Sequence, residues 1–152
     1  MLANGSKPRE WAYAVEGKPT AMLEVALQGL RRQRAEPRRL PSCGAEVCVW
    51  VKDVAACLVR GDCIGAVVFC ADPGVACCIA NKVPGVRAAA VSSVGQAARA
   101  FKSLGCNLLV VEMAGRTYYE CRELLRLCQE QQSTCPPGLA CVLQELDGHA
   151  RR

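Results

Sequence analysis

Twelve cysteines and a single histidine, His149, are the side chains of this 152-residue chain best suited to nucleophilic, redox or metal chemistry. Structural zinc sites favour cysteine pairs with roughly two to four intervening residues, closed by further Cys or His ligands. Cys43/Cys48, Cys57/Cys63, Cys77/Cys78 and Cys135/Cys141 mostly miss that spacing, and His149 stands by itself near the C-terminus. No metal and no cofactor is therefore expected. Cys121, Cys128 and Cys135 recur at a helical period and read as one buried stripe rather than a ligand set. A disulfide scaffold is the other chemistry that such a cysteine content suggests. Against it, MLANGSKPREW lacks the apolar stretch of a secretory signal, and the thiols sit in apolar runs such as VVFC and LLRLC. There a thiol serves as a small hydrophobe. The expected location is an intracellular, reducing compartment, the cytoplasm or the mitochondrial matrix.

Charge offers a second kind of chemistry. The net charge is +5, and its densest run is RRQRAEPRR at 31–39. At the end of a helix such arginines complement the helix dipole. Aromatic residues make up only 5% of the chain, which leaves few platforms for stacking bases. Nucleic acid is accordingly not expected as a partner.

These side chains need a scaffold, and the composition supplies one. Hydrophobic residues make up 51% of the chain and charged residues 22%, a balance that supports a buried core. No apolar run approaches the roughly 18 residues of a membrane-spanning helix, so no span is expected. Residues 1–10 read as a polar leader, 11–134 as the domain, and 135–152 as a tail with a short helix. WAYAV at 11–15 reads as a buried strand. Thr20 opens a helical stretch through Met22, Leu23, Ala26, Leu27 and Leu30. Residues 35–44, with two prolines, read as a loop, and 46–51 as a strand or the lead into a helix ending near Gly61. GAVVFCA at 65–71 is a strand covered on both faces, broken by Asp72-Pro73-Gly74 before a short helix, VACCIANK. After Pro84-Gly85 come a strand (VRAAAVS), a helix capped by Ser93 and ended by Gly105, and the strand NLLVVEM. An amphipathic helix over 115–132, stopped by Pro136-Pro137, and a final helix GLACVLQEL complete the chain. Strands alternating with helices define an α/β class with a mostly parallel sheet.

The stretch FCADPGVACCIANKVPGVRAAAV, residues 69–91, resembles the type B ribose-5-phosphate isomerases, which group with the galactose-6-phosphate isomerase subunits. In that family a strand ends in a cysteine, a glycine-rich loop follows, and a helix reads I-A-A-N-K-x-x-G-I-R-A. Here IANKVPGVRAA matches almost continuously, with Cys70 upstream at the family's distance. Without gaps the resemblance extends over about residues 11–132. It implies a Rossmann-like three-layer domain around a five-stranded sheet, and a homodimer. Family members interconvert aldose and ketose phosphates through an enediolate, with a cysteine moving the proton and glycine-loop N–H groups holding the oxyanion.

Carried over position by position, the resemblance places Cys70 at the proton-transfer cysteine and Asn107 at the asparagine of the fifth strand. Asn81, Lys82 and Arg87 match the helix motif, where packing and turn roles are expected. Glu16-Gly17 stand where the family has Asp-His, and Ser103 stands at a second histidine. The loop reads Ala71-Asp72-Pro73-Gly74-Val75, and the run Glu112-Met113-Ala114 replaces an arginine. Glu16, Asp72, Gly74, Asn81, Lys82 and Arg87 are thus the candidate substrate-binding positions. Pro73 carries no N–H, and Asp72 brings negative charge to a site that needs positive potential. The expectation is a non-catalytic structural or assembly subunit of a larger complex, its tail PPGLACVLQEL a contact element. The alternative is an active sugar-phosphate isomerase, converting ribose 5-phosphate to ribulose 5-phosphate, with Cys70 as base and Asn107 as orienting group.

Overall fold

A computed structural model of the chain describes residues 10–41, 46–132 and 134–149. The leader expected at 1–10 lies, apart from Glu10, outside the described residues, as does Cys43. The elements run β1 (Trp11–Val15), α1 (Ala21–Arg32), β2 (Arg38–Arg39), α2 (Val47–Val59), β3 (Gly65–Cys70), α3 (Pro73–Ala80), β4 (Ala88–Val91), α4 (Val94–Leu104), β5 (Leu108–Glu112), α5 (Tyr118–Gln129) and α6 (Pro137–His149). The five strands form one sheet in the order β2-β1-β3-β5-β4, and every pairing in it is parallel. β1 and β3 are buried along their whole length, because helices cover both faces.

Alternation along the strands sorts side chains onto two cores. Trp11, Tyr13, Val15, Val67 and Phe69 point to one face and pack against α1, α4 and α5. Ala12, Ala14, Ala66, Val68 and Cys70 point to the other, against α2 and α3. Residues of these cores such as Phe69, Leu23, Leu124 and Trp50 are buried almost completely, each contributing roughly 1.5–3 kcal/mol of burial free energy. This is a Rossmann-like three-layer α/β domain. No helix of the described residues is long and apolar enough to cross a membrane.

Local chemistry explains most element boundaries. Thr20, Ser93 and Thr117 each cap a helix with a side-chain oxygen on an early N–H, and Thr117 forms a reciprocal capping box with Glu120. Gly105 closes α4 in the left-handed conformation, φ 59°. Three readings of the sequence change. Residues 38–39, taken as loop, pair with β1 as an edge strand of two exposed arginines. The stretch from 46, open between strand and helix, is the start of α2. Asp72-Pro73-Gly74 is not simply a breaker, since Asp72 caps α3 and Pro73 is its first residue.

Candidate functional site

Parallel strands deliver their carboxyl ends to one rim. The rim is most open where neighbouring strands send their connections in opposite directions, here between β1 and β3. Glu16, one residue past β1, and Cys70, the last residue of β3, meet at this point. The β1–β3 ladder runs one step beyond β1 through Glu16 N–H donating to Phe69 O at 2.9 Å. Gly17 then turns the chain away at φ 67°. On the other side of β3, Cys70 pairs with Glu112 of β5, and Met113 N–H donates to Cys70 O at 3.0 Å.

The rim is acidic. Glu16, Asp72 and Glu112 stand around the Cys70 thiol, which is fully buried. Burial first, then the Glu16 carboxylate, push that thiol up to about 12, with Asp72 and Glu112 adding in the same direction. The Asp72 N–H opposes them by hydrogen bonding toward the sulfur. Glu16 is also the partner of the loop, since Ala71 N–H donates to its Oε2 at 2.7 Å. Asp72 Oδ1 accepts from Val75 N–H at 3.1 Å. Gly74 is an ordinary residue of the first turn of α3, without a left-handed φ.

The remaining candidate residues divide between the sheet edge and the surface. Asn107 lies five residues down β5 from Glu112, about 16 Å from the rim at a strand's rise of ~3.3 Å per residue. Its amide accepts from Arg87 N–H at 2.7 Å and donates to Gly85 O at 3.0 Å. Asn81 accepts from Ala88 N–H at 2.7 Å and donates to Ala88 O at 3.0 Å, in the manner of a further strand on the free edge of β4. Arg87 Nε donates to Gly105 O at 3.0 Å. Lys82 is exposed, and Ser103, also exposed, donates its hydroxyl to Arg99 O at 2.9 Å. The geometry therefore separates Asn107, Asn81 and Arg87 from Cys70, and joins them to one another around the Gly85–Ala88 segment.

Sequence reasoning misses one residue of this region. The arginine position was set aside as replaced by 112–114, yet the chain turns through Gly115 at φ 76° and presents Arg116 directly afterwards. Arg116 Nη1 donates to Ser92 O, the same group pairs with Glu120 at 3.5 Å, and Nε is buried without an acceptor. The Gly-Arg dipeptide just past β5 is the signal that could have found it. Among the described residues no group of three or more His, Cys, Asp or Glu side chains is placed to hold a metal ion. Clefts of about 610 and 480 Å³ open elsewhere, the first by Cys63 and Gln131, the second between α6 and Val86.

An open parallel sheet with helices on both faces and a thiol at its switch point defines the class as a Rossmann-like α/β domain. Residues 40–128 match the model of the Ribose/Galactose Isomerase family, and the chain belongs to that family. No curated protein matches it. In fold it is similar to the type B ribose 5-phosphate isomerase of Trypanosoma cruzi, with a TM-score of 0.73, 19% identity, and 94% of this chain covering 97% of that one. Ribose-5-phosphate isomerase B of Mycoplasma genitalium, solved with bound ribulose-5-phosphate, gives 0.71 at 18% identity over 93% and 96% of the two chains. The Clostridium thermocellum isomerase B gives 0.73 at 15% identity, over 93% and 97%.

Proposed function

We propose that this chain is a non-catalytic member of the family, acting as a structural or assembly subunit of a larger complex. One observation carries the reading: the loop after β3 directs its N–H groups at the protein itself. Ala71 N–H goes to Glu16 and Val75 N–H to Asp72, while Pro73 has none. An enediolate needs such donors unoccupied and waiting, and losing a single one removes roughly 10²–10³ in rate. The three carboxylates add repulsion toward any phosphate ester, and a thiol pushed up to about 12 is a poor base at neutral pH.

A partner-binding role is supported by α6, which buries none of its residues and leaves Val142 and Leu146 exposed. Self-association as a homodimer is part of the proposal. Nucleic acid is not: Arg31 is engaged by Glu24 and Glu36, and Arg38 by Asp62 O. A reducing intracellular location, the cytoplasm or the mitochondrial matrix, fits the eleven free thiols among the described residues.

The second reading is an active aldose–ketose isomerase using Cys70 as the proton-transfer base. The family match favours it, as does the presence of a cysteine at the carboxyl end of β3. Conversion of ribose 5-phosphate to ribulose 5-phosphate by the pure protein and its Cys70→Ala variant separates the two. The non-catalytic reading expects no turnover from either. Turnover abolished in the variant would overturn it.

A further inference from the structure

We propose that Cys57 and Cys63 form a reversible oxidation site, in which a hydroperoxide oxidises Cys57 and Cys63 then closes a disulfide on it. The site lies apart from the Cys70 rim and is independent of whether the chain isomerises a sugar. α2 ends in a reversal that folds the chain back onto its last turn. Gly61 N–H donates to Leu58 O at 3.1 Å and Asp62 N–H to Cys57 O at 3.0 Å, with Gly61 left-handed at φ 76°. Cys63 follows directly, and both thiols pack in the core cluster on the α2 and α3 face of the sheet.

Their surroundings divide the roles. The Cys57 sulfur is half-buried and accepts from Arg60 Nη2 at 3.3 Å. Arg60 is itself fixed by Asp62 Oδ2, which accepts from Nε at 3.1 Å and Nη2 at 3.0 Å. A partly exposed sulfur beside a held guanidinium is the setting in which a cysteine reacts. Cys63 is 5% exposed, in the wall of the cleft of about 610 Å³. Burial first, then the Cys57 sulfur beside it, push its thiol up, which suits the second step rather than the first. In the first step Cys57 attacks the peroxide as thiolate. An S–O bond forms, the O–O bond breaks, and the departing hydroxide takes up the proton that Cys57 gave. Cys63 then attacks the Cys57 sulfur, an S–S bond replaces S–O, and the oxygen leaves as water with the Cys63 proton. Two thiols are oxidised to one disulfide and one peroxide is reduced to water; a thiol reductant reverses the change. The bond would tie the end of α2 to the entrance of β3, the strand that ends in Cys70.

The test uses the full reduced chain, its Cys57→Ser and Cys63→Ser variants, hydrogen peroxide, and mass spectrometry after free thiols are blocked. In wild type the tryptic peptides 53–60 and 61–82 become linked, and fragmentation places the bond on Cys57 and Cys63. The linked pair forms ahead of oxidation at exposed Cys48, Cys78 and Cys141, at a rate independent of protein concentration, and dithiothreitol releases it. C57S gives no linked pair. In C63S the sulfenic acid persists on Cys57 and takes up dimedone several-fold more than in wild type. A Cys57 that oxidises no faster than the exposed cysteines overturns the proposal, as does a linked pair that appears only after unfolding in urea. Equal dimedone labelling of Cys57 in wild type and C63S overturns it too. Should C63S fail to fold, the presence or absence of the linked pair in folded wild type decides the matter.

Discussion

Replacing Asn81 or Asn107 by alanine should unfold the protein more easily without touching any chemistry at Cys70. β4 lies at the sheet's edge, so the outward N–H and C=O of Ala88 have no strand beyond them. The Asn81 amide takes both, at 2.7 and 3.0 Å, while Ala88 is only 5% exposed and offers water little access. Asn107 does the same for Arg87 N–H and Gly85 O. Each neutral hydrogen bond contributes about 1 kcal/mol net, and a buried donor left without a partner costs a further ~1–3 kcal/mol. With two bonds lost and one donor stranded, the expected loss is about 3–5 kcal/mol for each variant, or a fall in Tm of about 6–20 °C for a domain of this size. Asn81→Asp keeps the acceptor for Ala88 N–H but faces Ala88 O with an oxygen, so it should fall between wild type and N81A. Because both asparagines brace residues 85–88, the double variant should lose less than the sum of the two. Urea unfolding of wild type and the four variants measures this. An N107A variant within about 0.5 kcal/mol of wild type would refute the reasoning, and an unchanged midpoint with altered sugar-phosphate binding would return Asn107 to the reaction centre.

Three further outcomes follow from the same geometry. Gly105→Ala combines a left-handed φ of 59° with a Cβ that would fall inside the Thr134 carbonyl, so urea denaturation should show a loss of about 3 kcal/mol or more. Cys70, with its thiol pushed up to about 12 against an ordinary 9.0, should hold about a thousandfold less thiolate than an unshifted thiol at pH 8. Iodoacetamide followed by mass spectrometry should therefore find it the slowest site beside exposed Cys48, Cys78 and Cys141, and comparable labelling would contradict the assigned environment. Burial raises the thiols of Cys63, Cys70, Cys77, Cys106, Cys121 and Cys128 above 9.0 in the folded state. The native form then holds protons that the unfolded form releases, so stability is complete below about pH 9 and declines as pH rises from there toward about 12. Under reducing conditions the urea midpoint should fall between pH 9 and 11, and a flat or rising profile would oppose this.

The sequence made the scaffold legible wherever a local rule had a single solution. β3 and β5 are unbroken apolar runs bounded by turn residues, and Ser93 with Gly105 brackets α4 through side-chain and left-handed caps. It was ambiguous where two periods fitted equally. VCVWV is apolar at nearly every position, so neither period stands out there and the start of α2 is clear only in the fold, whereas DVAACLV reads as a helix from sequence. Arg38–Arg39 carries no apolar signal, because an edge strand of two residues needs only backbone pairing. The site was legible as residue types and not as an arrangement. Glu16 reaches Ala71 only because β1 and β3 pair Val15 with Phe69, a register that neither segment encodes alone. Asn107 shows the converse error. Its motif neighbours suggested a place beside Cys70, but residues at opposite ends of adjacent strands cannot meet.

That separation sets the family motif apart from the rim around Cys70. The continuous part of the motif, IANKVPGVRAA, supplies Asn81 and Arg87 to the network that holds the edge strand, with Asn107 completing it from β5. In this chain these residues serve the sheet edge, whether or not the protein turns over a sugar. The chemistry would lie at the other end of the sheet, in Glu16, Cys70–Val75 and Glu112, where side chains cap or line the rim and hold no strand in place. A carboxylate there costs the fold little, because Glu112 is exposed and Asp72 adds a helix cap. Under the proposed non-catalytic reading these carboxylates oppose an anion at the rim, and Glu16 occupies the Ala71 donor. Activity in any member has to be argued from the charge and unoccupied N–H groups around the β3 thiol, since the matched helix and edge strand would look the same in either case.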